Sequence, residues 1–152
     1  MYCSFMNNVG VVTAAEAKSG DTTIFSLLHA ARTLEEKLET ALGTAGLSGP
    51  KFAVLSELVS SDVPLSLSEL AARLSCVRSN MTQLVDRLES DALVRRVDCP
   101  NDRRAVKAEI TEVGRTRQAA GAEAVARLHE EFSANVAPAD RAALERLLSV
   151  LK

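Results

Sequence analysis

A chain of 152 residues with 47% hydrophobic and 25% charged side chains has the make-up of one ordinary globular domain, or a small domain plus an oligomerisation element. With 3% aromatic residues and no tryptophan, its core must be built mainly from Leu, Val and Ala, which favours helices over a β-sandwich. No apolar run approaches the roughly 18 residues that span a bilayer, and a net charge of −2 excludes a uniformly basic nucleic-acid coat.

The first stretch, MYCSFMNNVGVVTAAEAKSG, lacks basic residues before its short apolar core, so it reads as a loose arm over residues 1–20 and not as an export signal. Ile24, Leu27, Leu28, Ala31, Leu34, Leu38 and Leu42 then recur at helical spacing and predict a long helix ending near Gly43–Gly46. A second helix follows, with Ser48 as its cap, Pro50 in its first turn, and Phe52, Leu55, Leu58 and Val59 on one face. Pro64 breaks the chain. Ser66 and Glu69 have the capping-box spacing and open a third helix, whose inward side is Leu67, Leu70, Ala71 and Leu74. After the short turn SCV, RSNMTQLVDRLESDA predicts a fourth helix with Met81, Leu84, Val85 and Leu88 buried. LVRRVD and AVKAEIT alternate with the two-residue period of strands, and CPNDRR joins them as a hairpin tip. Residues 112–136 predict a long Ala-rich helix. Pro138 restarts the chain into a last helix with Leu144, Leu147, Leu148 and Leu151 on one face.

Charge is unevenly placed. Between Arg73 and Lys107 stand eight basic and five acidic residues, a local +3 that leaves −5 on the remainder. A basic middle with acidic flanks suits contact with phosphate in one place, although a mixed solvated surface has the same look. Helix, short turn, helix and two-stranded wing make a winged helix-turn-helix. The outward side of its second helix reads Arg78, Ser79, Asn80, Thr82, Gln83 and Arg87. Ordinary exposed helix faces are rich in Glu and Lys pairs. Here the first two turns are uncharged except for Arg78, and short hydrogen-bonding side chains at a helix N-terminus suit the base edges of a major groove. Arg103 and Arg104 on the adjoining hairpin suit the neighbouring minor groove. Asp102 has the chemistry to orient an arginine there by a bidentate pair.

The segment from Leu47 to Gly114 resembles the MarR family of bacterial transcription regulators. The matching stretches are LSGPKFAVLSEL, LSLSELAARL, RSNMTQLVDRLE and the wing DRRAVKAEITEVG, with its Asp-x-Arg and its Ile-Thr-x-x-Gly. The resemblance implies a cytoplasmic, mainly α homodimer with a small β-wing. Residues 21–46 and 112–152 would dimerise, and residues 47–111 would form the winged DNA-binding domain. It also implies a repressor on a pseudo-palindromic operator, released by a small aromatic or phenolic ligand. The sequence departs from the family pattern at three places: Ser75 replaces the usual turn glycine, Val77 the usual capping Ser or Thr, and Ala92 the glycine before the wing.

The sites left over carry less. Cys3, Cys76 and Cys99 form no disulfide pattern, and Cys76 falls where a buried aliphatic residue is expected. The first helix lacks the cysteine that peroxide-sensing relatives carry. His29 and Arg32 could meet a ligand carboxylate, or could simply be a surface pair. Two distant histidines and no CxxC argue against a structural zinc site, and no cofactor, metal or catalytic constellation is expected. Constitutive or cysteine-oxidation-controlled DNA binding, and use of the winged helix as a protein-interaction module, are the alternative readings.

Overall fold

The computed structural model describes residues 23–99 and 102–150, so the arm over residues 1–20, Cys3 and Leu151 lie outside the described residues. Six helices and a small sheet follow in order: α1 (Thr23–Gly43), α2 (Gly49–Ser61), β1 (Leu65–Ser66), α3 (Leu67–Arg73), α4 (Arg78–Ser90), β2 (Val94–Cys99), β3 (Asp102–Ile110), α5 (Glu112–Asn135) and α6 (Pro138–Val150). The expected mainly helical, winged helix-turn-helix architecture is present. The sheet has the order β1-β3-β2 and is antiparallel throughout. The two-residue β1 was not expected. Leu65 pairs with Ala108 and Ser66 with Lys107, so a third strand covers the outer edge of the wing's base.

One core holds the lobe. It gathers Leu42 and Leu47 from α1 and its turn, Val54, Leu55 and Leu58 from α2, Leu70 from α3, Met81, Val85 and Leu88 from α4, and Val94, Ala108 and Ile110 from the sheet. Phe52 packs partly buried at its edge. Cys76, expected to be buried, is only half-buried against this core. The long helices are different. Leu42 is the one buried residue of α1, and α6 has none.

Local chemistry explains the boundaries. Ser66 and Glu69 form the expected capping box: the Glu69 N–H donates to Ser66 Oγ at 3.2 Å, and the Ser66 N–H to Glu69 Oε2 at 2.7 Å. Hydrogen bonding from the Ser66 backbone N–H first, and from the Ser66 side chain second, holds the Glu69 carboxyl below its usual range. Ser48 occupies the N-cap of α2 but makes no side-chain cap. Instead Glu39, on the preceding helix, accepts the Gly49 N–H at 2.8 Å. Thr111, expected as the last residue of the wing strand, is the N-cap of α5: its hydroxyl accepts from the Gly114 N–H at 3.0 Å and donates to the Ala92 carbonyl at 2.8 Å. Gly114 is required there by close approach. A Cβ at that position would lie 2.1 Å from the Leu93 carbonyl oxygen.

Three turns share one hydrogen-bond pattern. After α1, the Leu47 N–H reaches the Leu42 carbonyl and the Gly46 N–H the Gly43 carbonyl. After α3, Cys76 reaches Ala71 and Ser75 reaches Ala72; after α4, Leu93 reaches Leu88 and Ala92 reaches Glu89. Each is a Schellman turn with a left-handed residue at its hinge. The first has glycine, Gly46 at φ 68°; the others have Ser75 at φ 49° and Ala92 at φ 57°. Two of the three departures from the family pattern therefore fall on strained backbone, and both flank α4.

Candidate nucleic-acid interface

The helix that would read DNA is α4, and its N-terminus is bare. Val77 is the N-cap with no side-chain bond, and no acidic residue stands in the first turn. The unsatisfied N–H groups and the helix dipole therefore favour an anion at this end. Arg78, Ser79, Thr82, Gln83 and Arg87 are exposed, whereas Asn80 is half-buried. The Thr82 hydroxyl donates to the Arg78 carbonyl at 3.1 Å, which leaves it an acceptor toward solvent. Met81, Val85 and Leu88 are wholly buried on the opposite side and fix the rotation of the helix.

The charges sort themselves once partners are known. Arg73 pairs with Glu57 at 3.2 Å and Arg95 with Glu109, the residue directly across the ladder, at 2.5 Å. Arg96 pairs with Asp86 and, at 2.8 Å, with Glu89. Hydrogen bonds to these carboxylates, led by Glu109 for Arg95 and by Asp86 for Arg96, raise both guanidinium pKa values above the usual arginine value. Arg78, Arg87 and Lys107 make no ion pair among the described residues. Among the described residues the unpaired cations of this region are thus Arg78 and Arg87 on α4 and Lys107 on β3. The paired role of Arg96 escaped the sequence reading; its two-residue spacing from Val94, on the inner face of β2, was the available signal.

The wing is longer than expected. Strand β2 continues to Cys99 and β3 begins at Asp102, with Cys99 opposite Asp102 after an irregularity between Asp98 and Cys99. Asp102, Arg103 and Arg104 are therefore strand residues at the tip-proximal end of β3. Their side chains, and that of Cys99, lie outside what the structure describes.

His29 and Arg32 are exposed on α1, and Arg32 Nε lies 3.5 Å from Glu36 Oε1. A groove of about 580 Å³ runs between α1 and α5, lined by Glu36, Lys37, Thr40, Arg127 and Glu131 among others, but neither His29 nor Arg32 lines it. Among the described residues no group of three His, Cys, Asp or Glu side chains could hold a metal ion. No described helix is long and apolar enough to cross a membrane.

The model of the MarR family matches residues 47–106, which run from the start of α2 into the wing. The chain is 32% identical over 88 residues to the HTH-type transcriptional regulator PrsX of Escherichia coli, a match over 57% of this chain and 53% of that protein. It therefore spans about half the length of that curated relative. It is 31% identical over 112 residues to a putative transcriptional regulatory protein for the hcr operon of Thauera aromatica, covering 74% of this chain and 67% of that one. Among solved structures, a MarR mutant from E. coli complexed with operator DNA superimposes with a TM-score of 0.74 at 27% identity, over 84% of this chain and 92% of the other.

Proposed function

The chain belongs to the MarR family, and from that premise we propose that it is a sequence-specific binder of double-stranded DNA that regulates transcription, acting as a repressor. The observation that carries this reading is the α4 surface. Its N-terminus is uncapped, its outward side chains are short hydrogen-bonding groups and two unpaired arginines, and its buried side fixes which face points out. In this reading Arg78, Ser79, Asn80, Thr82, Gln83 and Arg87 enter a major groove about 12 Å wide. Arg103 and Arg104, oriented by Asp102, reach the adjacent minor groove from the wing. Residues 47–111 form the DNA-binding unit.

The protein works as a homodimer in the bacterial cytoplasm. On α1, Ile24 is 63% exposed and Phe25 51%; on α6, Leu147 is 66% exposed. Apolar surface of that extent on helices needs a cover, and a two-fold pairing of residues 21–46 with 112–152 supplies one. It also presents two α4 helices to half-sites about one DNA turn apart. Occupying an operator blocks transcription, and a small aromatic or phenolic ligand releases it.

Selection of binding sites from random duplexes tests this directly. The expected product is a pseudo-palindrome whose half-sites lie about 10 base pairs apart. Recovery of no consensus, or of one without dyad symmetry, refutes the dimeric reader.

A further inference from the structure

Alongside its unpaired arginines, α4 carries two carboxylates that a phosphate-facing surface would be expected to avoid. Asp86 and Glu89 stand three residues apart and so share a face of the helix. Strand β2 brings a counterpart to them. Val94 and Arg96 lie two residues apart, on the same side of the strand. Val94 is 2% exposed, and Ala108, directly opposite Arg96 in the ladder, is wholly buried. The inner face of the wing therefore carries Arg96 past the edge of the core to the last turns of α4. There Nη1 donates to Glu89 Oε2 at 2.8 Å, Nη2 donates to Asp86 Oδ1, and the Arg96 backbone N–H donates to Glu89 Oε1 at 3.2 Å.

Three donors from one strand residue, divided between two carboxylates of one helix, admit little rotation or sliding. A planar guanidinium fork makes that stricter than an ammonium could. The side chains of Arg96, Asp86 and Glu89 are 33%, 51% and 37% exposed, and ion pairs so open to water contribute little to folding stability. The consequence of this cluster lies in geometry. Resting on the DNA-binding reading, we infer that Arg96 is a positioning residue: by bracing β2 against Asp86 and Glu89 it sets the angle between wing and recognition helix, so that both enter adjacent grooves at once. It also cancels the two charges that would repel the phosphates.

The test compares the full-length parent, Arg96→Ala, the double variant Asp86→Asn/Glu89→Gln and the triple variant on the selected duplex and on an unrelated one. Circular dichroism confirms that each is folded at the assay temperature. Removing two negative charges beside DNA should tighten binding if electrostatics alone operated. The brace predicts the opposite for the selected site: affinity falls roughly tenfold or more, while binding to the unrelated duplex is unchanged or tighter. Hydroxyl-radical protection of the flanking minor groove is lost while that of the major-groove half-site persists, a change that general destabilisation would not produce. Arg96→Ala falls at least as far as the double variant on the selected site, because it also leaves both carboxylates uncompensated, and the triple variant is no worse than Arg96→Ala, because the same contact set is already gone.

Tighter binding of the double variant to both duplexes overturns the inference. So does an equal loss on both duplexes for Arg96→Ala with a salt slope smaller by about one, which would make Arg96 itself a phosphate contact. A parent that selects no duplex at all sinks the DNA-binding reading and the positioning role with it, and is told apart by failing before any substitution is made.

Discussion

Replacing Ala92 by glycine should make this protein more stable, although it deletes a methyl group and touches no core residue. Ala92 is the hinge of the Schellman turn between α4 and the wing, at φ 57°, and it is exposed. A left-handed backbone costs a residue with a Cβ about 1–2 kcal/mol. Glycine removes that cost but adds back roughly 0.4–1 kcal/mol through its greater freedom in the unfolded chain. The net gain is about 0.5–1 kcal/mol, which raises Tm by roughly 2–3 °C for a chain of this size. Ser75, at φ 49° in the equivalent turn before α4, is the internal repeat of the experiment, and the two gains should add because the backbone hydrogen bonds of the two turns join different residues. Gly46 is the control in the other direction. At φ 68° it is already glycine, and a Cβ would lie 2.0 Å from Arg117 Nη1, whose guanidinium donates to the Ala45 carbonyl. Gly46→Ala must therefore lower Tm. Thermal unfolding followed by circular dichroism at one fixed protein concentration checks all three. If Ala92→Gly and Ser75→Gly leave Tm unchanged or lower it, the strain assigned to these turns is wrong.

Other substitutions probe the rest of the scheme. Gly114→Ala should cost about 3 kcal/mol or more in chemical denaturation, since its Cβ would meet a backbone carbonyl oxygen at 2.1 Å and Ile110 Cγ1 at 2.8 Å. Arg104→Ala should weaken operator binding and flatten its salt dependence by about one in log–log slope; an unchanged slope in a filter-binding series removes the wing from the interface. Gln83→Ala should relax preference at a single base position in a repeat of the site selection, with the salt slope unaltered. The capping box sets a pH dependence. Glu69 has a folded-state pKa below its unfolded one, so its contribution is fully present above the ordinary carboxylate pKa of about 4.3 and is lost as pH falls through the lowered value. Glu69→Gln keeps the hydrogen bond but does not titrate, so its urea midpoint should fall less steeply than the parent's between neutral and acidic pH.

Short-range chemistry was legible in the sequence, and longer-range chemistry was not. Ser66 and Glu69 are three residues apart, and their cap formed as the spacing dictates. The cap of α2 could not be read that way, because the group that accepts the Gly49 N–H is Glu39, ten residues earlier and on another helix. Thr111 ends an alternating run, so periodicity assigned it to the strand; the packing of Gly114 against Leu93 turned the chain into α5 one residue sooner. Strand β1 is two residues long and carries no period to detect. The apolar faces of α1 and α6 were visible as helical spacing, but the same spacing describes a buried helix and one left open for a partner. In the candidate interface the side chains that face out on α4 followed from the burial of Met81, Val85 and Leu88. The division of arginines into paired and unpaired ones did not, since Asp86, Glu89 and Arg96 meet only through the fold.

The Thr111 hydroxyl, which joins the Ala92 carbonyl to the Gly114 N–H, has a mechanical consequence. The turn leaving α4 and the first turn of α5 meet on one side chain, that of the single residue between β3 and α5. A rotation of α5 at this end would therefore bear on the Ala92 turn and on the root of the wing strand through the same hydroxyl.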